Sequence, residues 1–201
     1  MANGLQIVRQ ALTEETLRAY AEVPTSFRVE RIFRVDLAGG GLEGVRLVEE
    51  AVAEPYEKDY DADPGEAPLD LPKRFDVTNW SLLAAFEEGT RVGGAILAVD
   101  TPSFDFLEGR PELAAVMGIR VIPSRRRQGV GSTLFDAAIT VAKEHGCRQL
   151  KVETQNVNLP ACRFYAHQGC ELGAINRFAY LGQHGAAHPD EVQLVWYLRL
   201  A

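Results

Sequence analysis

The sequence predicts an α/β (α+β) fold, a mixed central β-sheet flanked by helices, within a single domain covering residues 1–201. Three observations predict it. Apolar runs of strand length recur from end to end. The segment Gln128–His145 repeats apolar residues with a helical period, as a helix lying on a sheet does. The second half reads strand, helix, strand, helix, strand, strand, the order of a mixed sheet covered by helices. At 201 residues and 22.1 kDa the chain has the size of one ordinary domain.

The elements follow in order. Leu5–Val8 is a short apolar run and the first strand. Thr13 with Thr16, and the Glu14-Glu15 pair, mark a helix start, and that helix runs to about Glu22. Ser26–Val35 alternates apolar with charged residues, a strand pattern, and Gly39-Gly40-Gly41 breaks it. Residues 42–73 are acidic and contain Pro55, Pro64, Pro68 and Pro72; they are expected to be a surface insertion, partly helical at its start. Asn79–Phe86 and Arg91–Val99 flank a Glu-Glu-Gly-Thr turn and form a hairpin. Leu113–Ile122 is a strand stopped by Pro123. In the helix Gln128–His145, Val130, Leu134, Phe135, Ala138, Val141 and Ala142 share one face, and Gly146 ends it. Gln149–Glu153 is a strand, Asn158 or Leu159 opens a helix to about Gln168, and Glu171–Tyr180 and Val192–Leu200 close the sheet.

Composition narrows the function. The chain carries 21 basic and 28 acidic residues, a net charge of −7, and its pI of about 5.2 excludes nucleic-acid binding through bulk positive charge. Residues 43–70 hold ten acids and two bases, net −8; all other positions together hold 18 acids and 19 bases, net +1. The acidity therefore belongs to a segment. No apolar run reaches 18 residues, so no membrane span or membrane partner is expected. Met1–Gln10 shows no basic-then-apolar leader, and Cys147, Cys162 and Cys170 are an odd set without CxxC spacing. Both point to a cytoplasmic protein with packing thiols. His184 and His188 are four apart, but Gly185 and Pro189 argue against a helix between them, and no metal site is expected.

The richest local feature is Pro123-Ser-Arg-Arg-Arg-Gln-Gly-Val-Gly131, between a strand and a helix. With Arg120 it places four bases and no acid in one short stretch. Glycines at 129 and 131 allow close backbone approach, and the first turn of a helix offers unpaired amides and partial positive charge. This is an anion site suited to a phosphate or pyrophosphate. A P-loop lysine, the third glycine of a dinucleotide fingerprint and a GxSxG elbow are all absent here. A helix start with solvated arginines is the plainer reading of the same residues.

Arg126-Arg127-Gln128-Gly129-Val130-Gly131 resembles the R/Q-x-x-G-x-G/A signature of the GNAT superfamily of acetyl-coenzyme A N-acetyltransferases. The strand before it, the helix after it, and Asn158-x-x-Ala161-x-x-Phe164-Tyr165 match companion pieces of that family over about residues 79–200. Glu153–Tyr165, Val195-Trp-Tyr197 and Pro55–Asp61 resemble its streptothricin acetyltransferase branch.

The resemblance implies a set of roles. Acetyl-CoA would lie where the strand Leu113–Ile122 and the strand Gln149–Glu153 splay apart. Amides of Gln128, Gly129, Val130, Gly131 and Ser132, with Arg126 and Arg127, would hold its pyrophosphate. The backbone of Ile119, Arg120 and Val121 would pair with the pantetheine arm, and Asn158 would bond the pantetheine or thiol end; Asn158 is also a natural helix N-cap. Tyr165 would protonate the departing thiolate and Glu153 would be the base, with Asp59, Asp61 and Glu112 as weaker candidates. Tyr56, Asp59, Tyr60 and Asp61, with Trp80 as a pocket wall, would bind a cationic amine acceptor such as a streptothricin-type antibiotic. Each has a plainer reading: a buried helix tyrosine, a strand carboxylate, a solvated acidic loop and core aromatics. Another polyamine, a protein amino group, a non-catalytic acyl-CoA-binding module and an anion-binding interaction protein remain open as alternatives, and so does a homodimer.

Overall fold

The computed structural model describes residues 4–62, 65–180 and 191–201; His184, His188 and the predicted insert around them lie outside the described residues. The chain forms two compact units. The first comprises Met1–Thr25, Tyr60–Val152 and Tyr197–Ala201; the second comprises Ser26–Asp59 and Glu153–Trp196.

In the first unit the strands β1 (Leu5–Gln10), β4 (Ser81–Glu87), β5 (Thr90–Ala98), β6 (Leu113–Val121) and β7 (Gln149–Gln155, as far as Val152) are hydrogen-bonded in that order. The first four are antiparallel neighbours, and β6 pairs with β7 in parallel from Leu113↔Gln149 to Val116↔Val152. The predicted hairpin is β4–β5, and its turn carries Gly89 at φ +79°, where a glycine is favoured.

Helix α1 (Glu14–Ala21) starts at a capping box between Thr13 and Thr16 and buries Leu17 and Tyr20. Helix α3 (Val130–Glu144) buries the six residues that its periodicity predicts. The two helices cover opposite faces. A Cβ on Gly94 would lie 2.9 Å from the Tyr20 ring of α1, whereas one on Gly93 would lie 3.4 Å from a Leu134 methyl of α3; successive strand residues point to opposite sides. On the α1 face, Leu17, Tyr20, Leu82, Ile96, Leu113 and Ala115 pack with Leu71, Trp80, Phe104 and Leu107. Leu71 belongs to the short helix α2 (Leu71–Arg74).

In the second unit β2 (Phe27–Ala38) and β3 (Gly44–Lys58) form a long antiparallel hairpin around Gly39–Gly41. This corrects the expected insertion at 42–73: its first half is a fifteen-residue strand. The reason lies across the ladder. Arg31 bonds Glu49 (2.6 Å) and Arg34 bonds Glu50 (2.8 Å), so the acids of β3 face arginines of β2. Each such exposed pair is worth about 0.2–1 kcal/mol, but together they permit a charged strand. The unit also holds the remainder of β7, helix α4 (Leu159–His167), β8 (Glu171–Asn176) and β9 (Gln193–Arg199, as far as Trp196), in the strand order β7-β9-β8. The strand predicted over Glu171–Tyr180 ends at Asn176, and residues 177–180 are a turn. Overall this is a mixed α/β fold with a mostly antiparallel central sheet flanked by helices.

Candidate functional site

The arginine loop runs from β6 into α3 entirely within the first unit. Pro123–Arg125 form one 3-10 turn, Arg126 is extended, Arg127 stands at φ +61° and Gly129 at φ +89°. Gly129 is the N-cap of α3 and supplies no side-chain acceptor, so the helix starts without a side-chain cap from its N-cap residue. The first helical bond is Thr133 N–H to the Gly129 carbonyl, 3.0 Å. A Cβ on Gly129 would meet nothing within 4 Å, so the glycine opens onto space a ligand can enter.

The three consecutive arginines are not equivalent. Arg125 pairs with Glu87 at 2.6 Å. Arg126 donates Nε–H to the Val121 carbonyl (3.0 Å) and Nη2–H to that of Pro24 (3.3 Å), so it fastens the loop. Gln128 donates to the Ser124 carbonyl at 2.8 Å and fastens it again. Arg127 is exposed and, among the described residues, makes no side-chain hydrogen bond or ion pair. It is the cation of the three left for an anion. An uncapped helix start, an open αL glycine and one unengaged guanidinium are the parts a pyrophosphate needs.

Ile119, Arg120 and Val121 form the end of β6. The β5–β6 register shifts between Ile96↔Gly118 and Leu97↔Val116, which makes Met117 a bulge. Within this unit Gly118–Val121 pair only with β5, which leaves their second edge for a strand-like ligand. The Arg120 side chain is buried. It makes two bonds to Asp61 (2.6 and 2.7 Å), donates to the Val23 carbonyl (3.3 Å) and lies over the Tyr20 ring at 4.6 Å. Burial works to lower the Arg120 pKa, but the hydrogen bond to Asp61 and the pull of Tyr20 and Asp61 outweigh it, so the net shift is upward. Burial raises the Tyr20 phenol above its ordinary value, against the opposing pull of Arg120, and keeps it a neutral donor to the Gly118 carbonyl at 3.3 Å.

The predicted acceptor residues are divided between the two units. Tyr56 is half-buried in the second unit and packs on Val29, Ile32 and Val157, while Asp59 is exposed at that unit's boundary. Tyr60 and Asp61 form a 3-10 turn of the first unit. Asp61 is bound to Arg120, because a buried guanidinium requires a counter-charge. Trp80 is 3% exposed, stacks near Phe75 and Phe104, and donates to Thr101 Oγ1 at 2.8 Å. It packs in the core of the α1 face, and Thr101 satisfies its indole N–H.

The remaining predicted residues lie in the second unit. Asn158 caps α4, its side chain accepting from Ala161 N–H at 3.1 Å, so the N-cap reading holds in the structure. Tyr165 is buried on α4, edge-on to Phe164 with ring centroids 5.1 Å apart. Glu153 accepts from Tyr180 Oη and from Gln193 Nε2, both at 2.7 Å, one bond on each oxygen. Burial pushes the Cys162 and Cys170 thiols up to about 11, as expected of packing cysteines. Sequence reasoning missed Tyr20, whose only signal was helical periodicity, and the buried pair of Lys58 with Glu191 (3.2 Å), which joins residues 133 apart. Among the described residues no group of three metal-ligating side chains occurs, and no helix is long and apolar enough to cross a membrane.

Three relatives add to this geometry. The chain is 35% identical to streptothricin acetyltransferase A of Bacillus subtilis (strain 168) over 43% of its length, and this match spans about half (48%) of that relative. It is 27% identical to the streptothricin acetyltransferase of Streptomyces lavendulae over 78% of the chain and 77% of the relative. A protein of Bacillus anthracis str. Ames assigned as a streptothricin acetyltransferase, solved in complex with acetyl coenzyme A, superposes with a TM-score of 0.72 at 25% identity, covering 99% of this chain and all of that one. Residues 46–170, more than half of the chain and inclusive of the arginine loop and α4, match the acetyltransferase (GNAT) family, and to that family the chain belongs.

Proposed function

We propose that this GNAT acetyltransferase moves the acetyl group of acetyl-CoA to a primary amine of a small cationic acceptor of the streptothricin class, by direct attack with both substrates bound. The observation that carries the reading is the uncapped start of α3 beside the unengaged Arg127. The acetyl-CoA complex of the Bacillus anthracis relative supports the donor, and the names of the two curated relatives support the acceptor.

Acetyl-CoA supplies an activated acetyl thioester. The amides of Gln128–Ser132 and Arg127 bind its pyrophosphate, while Arg126 acts through the loop it holds in shape. The backbone of Ile119, Arg120 and Val121 takes the pantetheine arm as an added strand, and an amide of that strand stabilises charge developing on the carbonyl oxygen. Asn158 keeps its cap and bonds the pantetheine or thiol end. Tyr165 is the acid for the departing thiolate; a thiol of pKa near ~8.5 leaves readily, so its contribution is modest. The amine has the harder task, because freeing one of pKa ~10.4 at pH 7 costs about 4–5 kcal/mol. Glu153 is the base of this proposal, and Tyr56, Asp59 and Tyr60 are its acceptor contacts.

Acetyl-CoA is incubated with a panel of amines that includes a streptothricin, and free thiol is followed. The expected result is thiol release that depends on the amine, lost in Gly129→Glu, which adds bulk and negative charge at the phosphate site. Absence of turnover with every amine overturns the reading. A second reading, an acyl-CoA-binding module without turnover, is favoured by the prior engagement of both Glu153 oxygens. Coenzyme A binding without thiol release, unaltered by Tyr165→Phe, selects it.

A further inference from the structure

The end of β6 is held by an arrangement that neither strand pairing nor the loop supplies. Beyond the bulge at Met117, Gly118–Val121 pair only with β5 within the first unit, yet this is the stretch whose backbone the acetyl-CoA reading uses. A strand laddered on one edge opens more readily than one laddered on both. Two side-chain restraints act on its α1 face. The Tyr20 hydroxyl donates to the Gly118 carbonyl, and the ring rests on a site that Gly94 keeps clear, since a Cβ there would lie 2.9 Å from it. Two residues further on, Arg120 lies over the same ring and is gripped by Asp61 through a two-pronged ion pair, while a third bond reaches the Val23 carbonyl just after α1. Asp61, Arg120, Tyr20 and Gly118 thus form one chain of contacts from the turn at Tyr60–Ala62 to the bulge.

We propose that Tyr20, Arg120 and Asp61 are positioning residues: they clamp the singly paired end of β6 so that its backbone amides stand where the thioester carbonyl must be met. None of the three touches a reacting atom through its side chain. The inference rests on the acetyl-CoA reading for its chemistry, and on the contacts alone for the clamp. Asp61 in this role serves the donor side of the reaction; the acceptor does not require it.

Two variants test it. Tyr20→Phe keeps the ring and its packing but removes the bond to Gly118. Asp61→Asn keeps the shape but removes the counter-charge of Arg120; because it risks poor folding, Tyr20→Phe is the decisive variant. Amide hydrogen exchange at Gly118–Val121 is measured on the free protein, with coenzyme A affinity and acetyl-transfer kcat alongside. The expected result for Tyr20→Phe is exchange at least fivefold faster at those amides alone, kcat at least fivefold lower, and a coenzyme A Kd within threefold of wild type. Asp61→Asn moves both quantities further in the same direction, and its acceptor KM stays within threefold. Unchanged exchange and kcat in Tyr20→Phe overturn the clamp, as does a rise in Kd that equals the fall in kcat, which means plain binding. Faster exchange in the variants together with a wild-type protein that binds no coenzyme A overturns the functional reading and leaves the clamp standing.

Discussion

Asp61 and Arg120 face each other through two short bonds, 2.6 and 2.7 Å, that tie the turn after β3 to the end of β6. The Arg120 side chain is 8% exposed and that of Asp61 23%. A pair so placed resists removal of one partner, because the remaining charge stays buried and uncompensated. Asp61→Asn is expected to destabilise the protein by about 2–4 kcal/mol, slightly below the range for fully buried pairs because of Asp61's residual exposure. Urea unfolding at pH 7 measures this. A loss within the 0.2–1 kcal/mol of an exposed pair contradicts it.

The division of labour among the loop arginines separates affinity from stability. Arg127 sits at φ +61° with no side-chain partner among the described residues, so Arg127→Gly relieves an unfavourable backbone and removes the proposed phosphate cation. The melting temperature should hold or rise while coenzyme A affinity falls about tenfold, or ~1.4 kcal/mol. Arg126→Ala should do the reverse in kind: two carbonyl bonds are lost and the loop loosens, so the melting temperature falls together with affinity. Paired thermal melts and calorimetric titrations decide it.

Asn158 has one role on display and one proposed. Asn158→Ala loses the cap of α4 and should cost about 1 kcal/mol, whereas Asn158→Ser keeps a capping oxygen and most of that stability. If Asn158 also bonds the thiol end of the donor, the serine variant still loses acetyl-CoA affinity. Equal acetyl-CoA affinity in Asn158→Ser and wild type reduces Asn158 to a cap.

Glu108 predicts a pH signature. Its carboxyl is held below the usual range, first by a hydrogen bond from the buried Lys151 ammonium (2.6 Å), against the opposing effect of burial, with Tyr197 and Arg110 adding to it. A depressed folded-state pKa contributes stability that is full above the unfolded value of ~4.3 and lost as pH falls through the folded value. Glu108→Gln should therefore be less stable than wild type at pH 7, and the gap should narrow as pH falls below the unfolded value and through the lower folded one. Since the side chain is 40% exposed, the gap at pH 7 is small, about 1 kcal/mol or less. A gap that widens in acid refutes the assignment.

The glycine platform under Tyr20 has a steric test. A Cβ on Gly94 would stand 2.9 Å from the Tyr20 ring and 3.1 Å from the Leu83 carbonyl, so Gly94→Ala must push the ring off the sheet. The expected cost is about 1–3 kcal/mol, with faster amide exchange at Gly118–Val121, because the clamp moves with the ring. Gly89→Ala, where a Cβ meets nothing within 4 Å, should be destabilising through its φ of +79° alone and should leave those amides unchanged.

Local grammar carried much of this protein. The 3.6-residue spacing of Val130, Leu134, Phe135, Ala138, Val141 and Ala142 gave α3 its buried face without help from elsewhere, and Thr13 with Thr16 marked the start of α1. The arginine-glycine loop was legible for the same reason: an uncapped helix start after a strand is a contiguous feature, written in nine successive residues. The acidic stretch was misread because its meaning is across a ladder. Read alone, Glu49 and Glu50 belong to a solvated insertion; paired diagonally across the ladder with Arg31 and Arg34 they belong to a strand.

By itself, then, the sequence determined most of the elements, the helix faces and the arginine-glycine loop, since each depends on residues within a few positions of one another. Only the tertiary structure decided what Asp61, Trp80 and Tyr20 do. Asp61 meets Arg120 across 59 positions, Trp80 meets Thr101 across 21, and Tyr20 meets Gly118 across 98. Burial sets the function of such side chains by demanding a partner for every polar group taken out of water, and which partner answers is a property of the packed chain.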